Sequence, residues 1–288
     1  SIAGAVFADL QPRIAALARA GVQPGLATVL VGDSAASRVY VRNKTRACAD
    51  AGLRSEVHEL PADCTEAELM AKVTALNADA SIHGIIVQLP LPRGIDAQRV
   101  LQGIALAKDV DGFNWCNLGA LVDGHPQLVP CTPLGIMRML DHAGIAFEGR
   151  HAVVVGRSSI VGKPVALLLI ARGATVTVCN SKTPDLASHT RAADVLVVAA
   201  GRAHLITADM VKKGSTVIDV GINRSAEGKL VGDVDYESVK SKAGAISPVP
   251  GGVGRMTVAM LISNTMLAAE RQLQDRAQSA IERIGEMK

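Results

Sequence analysis

Ser37, Tyr40, Lys44 and Cys48 recur at spacings of three, four and four residues. On a helix that spacing stacks them along one face. A tyrosine one turn before a lysine invites a catalytic reading, because a partly desolvated lysine can release its proton near neutral pH and act as a general base. The same pair also reads as a lysine stem lying over a half-buried ring with its ammonium in water. Spacing alone leaves both readings open. Gln88 follows the apolar run Gly84-Ile-Ile-Val at the carboxyl end of a predicted strand, where open α/β sheets place ligands. It could equally satisfy loop backbone. Asp109 and Asp111 stand one residue apart in Lys108-Asp-Val-Asp-Gly. No further acids follow at metal-loop spacing, so no metal is implied. One of the two acids could pair with a ligand cation or an amide-like donor pair, or the segment could be a plain Asp-Gly turn.

A second kind of chemistry belongs to residues 152–164, Ala-Val-Val-Val-Gly-Arg-Ser-Ser-Ile-Val-Gly-Lys-Pro. The valine run predicts a buried strand. Gly156 permits a tight turn, and Gly162-Lys163-Pro164 opens an apolar helix with proline in the first turn. Strand, glycine turn and helix start together would leave backbone N–H groups for a phosphate. The spacing is neither G-x-G-x-x-G nor a P-loop. In NAD sites an acid at the end of the second strand, roughly 20 residues on, holds the ribose hydroxyls. Here Thr175-Val-Thr-Val-Cys runs into Asn180-Ser181-Lys182-Thr183 with no carboxylate. A hydroxyl and a cation there, with Arg157 in the turn, suit a ribose phosphate, so NADP is expected over NAD. The competing use of Ser181-Lys182-Thr183 is to cap the next helix. The late loop Pro248-Val-Pro-Gly-Gly-Val-Gly is a rigid wall with exposed backbone donors, suited to one flat ligand face.

The elements that must position these residues alternate along the chain. Strands are predicted at 26–31, 54–60 and 84–87, with helices at 34–51 and 65–77 between them, a βαβαβ pattern that implies a parallel sheet. Residues 108–130 read as a long loop. A helix from Thr132 to about Ala143 would bridge to a second alternating set, with strands at 151–155, 175–179, 195–199, 216–219 and 245–247. An apolar helix is predicted from near Thr257, then a charged amphipathic one that packs back on the first domain. The fold class is therefore α/β with two domains: an N-terminal α/β substrate domain and a Rossmann-like parallel-sheet NADP domain, with the active-site cleft between them. The boundaries are 1–130, completed by 264–288, and 131–263.

The 288 residues suit two domains, and 49% apolar with 20% charged residues suits a large core. Aromatics at 2% argue against stacking on single-stranded nucleic acid. Lys and Arg are dispersed at a net charge of +3, so no basic stripe appears. Five scattered cysteines without C-x-x-C suit a reducing compartment and no structural zinc. The N-terminus reads as an amphipathic helix, not a signal peptide, and no apolar run reaches membrane length. A soluble, cytoplasmic protein that binds neither nucleic acid nor membrane is expected.

Taken together these residues resemble the bifunctional methylenetetrahydrofolate dehydrogenase/methenyltetrahydrofolate cyclohydrolase family. The matching segments are Ser37-Arg-Val-Tyr-Val-Arg-Asn-Lys44, Gly84-Ile-Ile-Val-Gln-Leu-Pro-Leu-Pro92, Lys108-Asp-Val-Asp-Gly112, Pro130-Cys-Thr-Pro133, Val155-Gly-Arg-Ser-Ser-Ile-Val-Gly-Lys-Pro164, Asp219-Val-Gly-Ile-Asn223 and Pro248-Val-Pro-Gly-Gly-Val-Gly254. They run in family order over nearly the whole chain. The resemblance implies NADP-dependent oxidation of methylenetetrahydrofolate, then hydrolysis to formyltetrahydrofolate. It implies Lys44 as the catalytic lysine, Tyr40 shaping its pocket and Gln88 hydrogen-bonded beside it. Asp111 would hold the pterin through its amino and ring N–H donors. Gly156, Arg157, Ser158, Ser181 and Ile222 would line NADP, and Pro250, Gly251 and Gly252 would flank the folate. A homodimer joined through the nucleotide domains follows too. Two positions depart from the family pattern: Asn180 stands where His is expected and Arg255 where Pro is expected. Asn180 would alter contacts to the cofactor phosphate, and Arg255 relaxes a rigid turn near the folate. A first residue other than Met, a few positions late for the family, implies a trimmed N-terminus. The rivals are an NADP-dependent dehydrogenase of the shikimate or amino-acid type, against which Asp111 and the Pro-Gly-Gly wall argue, and a non-catalytic redox sensor.

Overall fold

The computed structural model describes the backbone of residues 1–286 and, apart from Ala36, Ala280 and 284–286, their side chains. Chain order in the first half is α1 (Ile2–Arg19), β1 (Gly25–Val31), α2 (Ala35–Ala51), β2 (Arg54–Leu60), α3 (Glu66–Ala78), β3 (Gly84–Val87), α4 (Ala97–Gln102), α5 (Trp115–Asp123) and α6 (Cys131–His142). The second half holds β4 (His151–Val155), α7 (Gly162–Ala171), β5 (Thr175–Cys179), α8 (Leu186–Arg191), β6 (Val195–Val198), β7 (Thr216–Asp219), β8 (Asn223–Arg224), β9 (Leu230–Val231), α9 (Tyr236–Val239), β10 (Ala245–Ile246) and α10 (Val253–Glu286).

Two parallel sheets result. The first has order β2-β1-β3, and the second β10-β7-β6-β4-β5. Central β1, β4 and β6 are almost wholly Val, Leu, Ile and Ala and almost wholly buried, as strands covered on both faces must be. β8 and β9 form a small antiparallel ribbon that has no counterpart among the predicted elements. α3 starts with Thr65 and Glu68 capping each other's backbone N–H. No helix among the described residues is long and apolar enough to cross a membrane.

The predicted strands agree with the observed ones to within a residue, but two expectations change. Residues 108–130 are not all loop: α5 lies within them, capped by the Asn114 side chain on Cys116 N–H and closed by Gly124 at φ +86°. Gly119 sits inside it. The two predicted C-terminal helices are one 34-residue helix, α10. Its composition switches from apolar to charged because its surroundings do: Met256, Met260, Ile262, Met266 and Ala269 are buried, whereas most residues from Gln274 to Glu282 face solvent. α10 ties the halves together. Gly135 of α6 lets Met256 approach within van der Waals distance, and Thr132 and Thr257 share a 2.9 Å hydrogen bond. Farther along, Glu270 accepts a bidentate pair from Arg13, and Gln272 donates to the His83 and Ala107 carbonyls.

Candidate active site

α2 begins at Ser34, whose hydroxyl accepts the Ser37 N–H. Ser37, Cys48 and Val41 face inward and Lys44 is half-buried, while the Tyr40 ring remains exposed one turn before it. Lys44 Nζ donates to Gln88 Oε1 at 3.2 Å. Gln88 follows β3 directly, and its own Nε2 donates to the Leu89 carbonyl at 2.8 Å. The amide is thereby oriented with its oxygen toward the lysine. The lysine nitrogen therefore has a side-chain acceptor at the end of the buried strand β3.

The Lys108-Asp-Val-Asp-Gly segment divides its polar groups. Lys108 Nζ donates to the carbonyls of Leu76, Asn77 and Asp79, closing the end of α3. Asp109, 1% exposed, accepts from Phe113 N–H, Asn114 N–H and Asn117 Nδ2. These two are structural. Asp111 is left toward the lysine: burial pushes its carboxyl above the usual range, while the Lys44 charge and the Cys131 thiol pull it partly back. Its backbone is pinned one residue earlier. Cys131 Sγ donates to the Val110 carbonyl at 3.2 Å, and Asn264 Nδ2 of α10 donates to the carbonyls of Val110 and Val129 at 2.9 Å each.

At the carboxyl edge of the second sheet Gly156 has φ +124°, and a Cβ there would overlap the Ala199 carbonyl. A Cβ on Gly162 would overlap the Gly156 carbonyl. Both glycines let α7 start hard against the sheet edge, the close approach a dinucleotide turn requires. One expectation is revised. The first N–H groups of α7 are not free, because Ser158 Oγ accepts from Val161 and Gly162, and Ser158 O from Lys163. The hydroxyl proton of Ser158 and the exposed Arg157 remain to meet an anion.

After β5, Asn180 Oδ1 accepts the Lys182 N–H and Thr183 Oγ1 accepts the Asn180 N–H, a closed turn with Ser181 and Lys182 exposed. α8 is capped by Asp185, not by this turn. The capping alternative for Ser181 and Lys182 is thereby removed. The donor set, hydroxyl and cations without a free carboxylate, fits a ribose phosphate.

Ile222, 48% exposed, projects beyond β7. A Cβ on Gly254 would touch its Cδ1 at 3.9 Å, so Ile222 lies against the first turn of α10, next to the Pro250-Gly251-Gly252 loop in the chain. Gly251 has φ +105°, which other residues rarely adopt. Arg255 is exposed on the first turn of α10, its N–H donating to the Gly252 carbonyl. The structure thus groups Lys44, Gln88 and Asp111, and separately Ile222 with the start of α10, while Ser181 lies on the turn after β5. Cys131, Asn264, Asp219 and Asp233 were missed. The detectable signal was the pairing of each Asp with a neighbouring glycine in Asp219-Val-Gly221 and Gly232-Asp233.

Comparison with known proteins agrees over most of the chain. Residues 1–111 match the catalytic domain of tetrahydrofolate dehydrogenase/cyclohydrolase, and residues 130–273 its NAD(P)-binding domain. The chain is 59% identical over 266 residues to the bifunctional protein FolD of Nitrosospira multiformis, covering 92% of each. The bifunctional dehydrogenase/cyclohydrolase from Campylobacter jejuni superposes with a TM-score of 0.92 at 47% identity, covering 93% of this chain and 96% of that one. The Trypanosoma brucei enzyme, solved with NADP and an inhibitor, gives 0.90 at 40% identity over 94% and 96%. By sequence match and superposition alike, this chain belongs to the tetrahydrofolate dehydrogenase/cyclohydrolase family.

Proposed function

We propose that Lys44, Gln88 and Asp111 carry the chemistry of a bifunctional enzyme that oxidises methylenetetrahydrofolate to methenyltetrahydrofolate and hydrolyses that product to formyltetrahydrofolate. The observation that carries this is the Lys44–Gln88 hydrogen bond at the end of β3 with Asp111 beside it. NADP, when bound along Gly156, Arg157, Ser158, Ser181 and Ile222, supplies the hydride acceptor. Asp111 accepts the pterin amino and ring N–H donors and sets the register of the substrate. Tyr40 and the Pro250-Gly251-Gly252 wall confine it so that the bridging carbon faces the nicotinamide side. A folate nitrogen lone pair stabilises the resulting amidinium, so this step needs positioning more than a strong base. In the second step water adds to that carbon. Lys44 in its neutral amine form, oriented by Gln88, takes the water proton as the C–O bond forms; the ring C–N bond then breaks, the proton passing from Lys44 to the leaving nitrogen.

A further part of the proposal is that two copies associate through the second domain, 131–263, apart from the folate domain of 1–130 with 264–288. β5 is the edge strand of its sheet; Val178 within it is 41% exposed and Ile170 of the neighbouring α7 is 56% exposed. Light scattering at twice the chain mass is the expected result. A cytoplasmic location fits five free cysteines, four of them buried.

Lys44→Met is expected to abolish cyclohydrolase turnover, followed as decay of methenyltetrahydrofolate absorbance. If both activities survive that substitution unchanged, the assignment of Lys44 is wrong.

A further inference from the structure

The second sheet carries a buried pair of carboxylates that the folate reaction does not use. Asp219 ends β7 and is 3% exposed; Asp233, after β9, is 0% exposed. Among the described residues neither forms an ion pair with a cationic side chain. A buried charge without a counter-ion persists only where hydrogen-bond donors surround it. Asp233 Oδ2 accepts from the N–H groups of Ala200 and Gly201 at 2.7 and 2.8 Å. Its Oδ1 accepts from Arg202 N–H and Asn223 Nδ2, both at 2.8 Å. Asp219 in turn accepts the N–H groups of Asp233 and Val234, so the chain bearing Asp233 is itself clamped.

These donors come from two particular loops. Ala200–Arg202 follow β6, and Asn223 follows β7, both at the carboxyl edge where a dinucleotide lies. Ile222 stands between two residues anchored on this carboxylate pair: Asn223 donates to Asp233, while Gly221 N–H donates to Asp219 Oδ1 and lies so close to Asp233 that a Cβ would overlap it. With both neighbours held inward, the Ile222 side chain is presented outward.

We propose that Asp233 is a positioning residue for the dehydrogenase half-reaction. It fixes the β6 and β7 loops so that Ile222 forms a rigid wall for the nicotinamide end of NADP, without touching the cofactor. This rests on the reading above that NADP lies along this edge. The carboxylate is needed as such, because only an oxygen on each branch can accept all four donors. An asparagine would turn one branch into a donor facing N–H groups. The cyclohydrolase step draws on Lys44 of α2 and Gln88 after β3, both around the other sheet, and so provides an internal control for folding.

The experiment compares Asp233→Asn, Asn223→Ala and Arg157→Ala with the unaltered chain. The readouts are NADPH binding by fluorescence titration, dehydrogenase kcat and KM for NADP, and cyclohydrolase rate with methenyltetrahydrofolate. Asp233→Asn is expected to weaken NADPH binding about tenfold, as loss of one or two buried hydrogen bonds would, with cyclohydrolase rate within about twofold of the unaltered chain. Asn223→Ala, which deletes one donor, is expected to weaken it about threefold in the same pattern. If Asp233→Asn folds and binds NADPH normally, or if both activities fall together, the proposal is overturned. Should Asp233→Asn not fold, Asn223→Ala decides by the same criteria. Arg157→Ala separates the two readings: if it too leaves NADPH binding intact, the cofactor edge is misplaced. If it weakens binding while Asp233→Asn does not, only the positioning role fails.

Discussion

The tripeptide Asp-Val-Asp occurs twice in this chain, at 109–111 and at 233–235, and the two copies divide their labour differently. In each, the first aspartate is buried and saturated with N–H donors: three on Asp109 and four on Asp233. The second aspartates diverge. Asp235 caps the four-residue α9, accepting the Ser238 N–H at 3.5 Å. Asp111 caps nothing; it lies beside Lys44 and Cys131 with its carboxyl pushed up by burial. A carboxylate occupied by backbone organises loops, and one held near a cation with unfilled oxygens can receive a ligand. The same three residues therefore yield a scaffold in one place and a binding group in the other. The deciding factor is which neighbours supply donors.

The largest way to test that contrast is Asp111→Ala. It should raise KM for methylenetetrahydrofolate about 100-fold, the scale of a lost charged pair of hydrogen bonds, with the melting temperature nearly unchanged. A comparable loss of stability instead would place Asp111 with the scaffold. Next, Asp109→Ala should cost about 3 kcal/mol of stability in denaturant melts, because three buried donors lose their acceptor. The folded fraction should keep its substrate KM. A third test uses pH. Only the ionised Asp111 accepts from two N–H donors, so folate affinity is lost as pH falls through its pKa. Because burial raises that pKa, the loss should begin at higher pH than an ordinary aspartate near 3.9 would give, and Asp111→Asn should flatten that limb of the KM profile. The smallest effect belongs to Asp235→Ala. Loss of a half-buried helix cap should cost about 0.5–1 kcal/mol and leave both activities untouched.

Much of this was legible in residue order. The strands at 84–87, 151–155 and 216–219 are rich in β-branched residues and almost wholly buried, the pattern of a parallel strand covered on both faces, whereas the edge strands at 54–60 and 175–179 keep partly exposed positions. The helical face bearing Tyr40 and Lys44 follows from spacing. Helix α5 was hidden because Gly119 interrupts it and because its cap, Asn114, lies in a stretch dense with glycine. The continuity of α10 was hidden by a change of composition that reflects a change of neighbours, not of backbone. Ser158 shows the limit at the site itself. Its hydroxyl was assigned outward to the cofactor, and it also serves inward as the acceptor for the start of α7.

By itself the sequence determined the fold class, the two-sheet order of elements, the family and the chemical types at the site. Those depend on periodicity, on glycines where backbone must approach backbone, and on motifs short enough to read locally. Only the tertiary structure showed which donors occupy Asp109 and Asp233 while Asp235 caps a helix and Asp111 faces Lys44, and that Gln88 turns its oxygen to Lys44. It alone showed that Asp233 gathers two loops beneath Ile222. Each of those depends on donors brought from distant parts of the chain, and a buried carboxylate's role is set by the donors around it, not by its place in the chain.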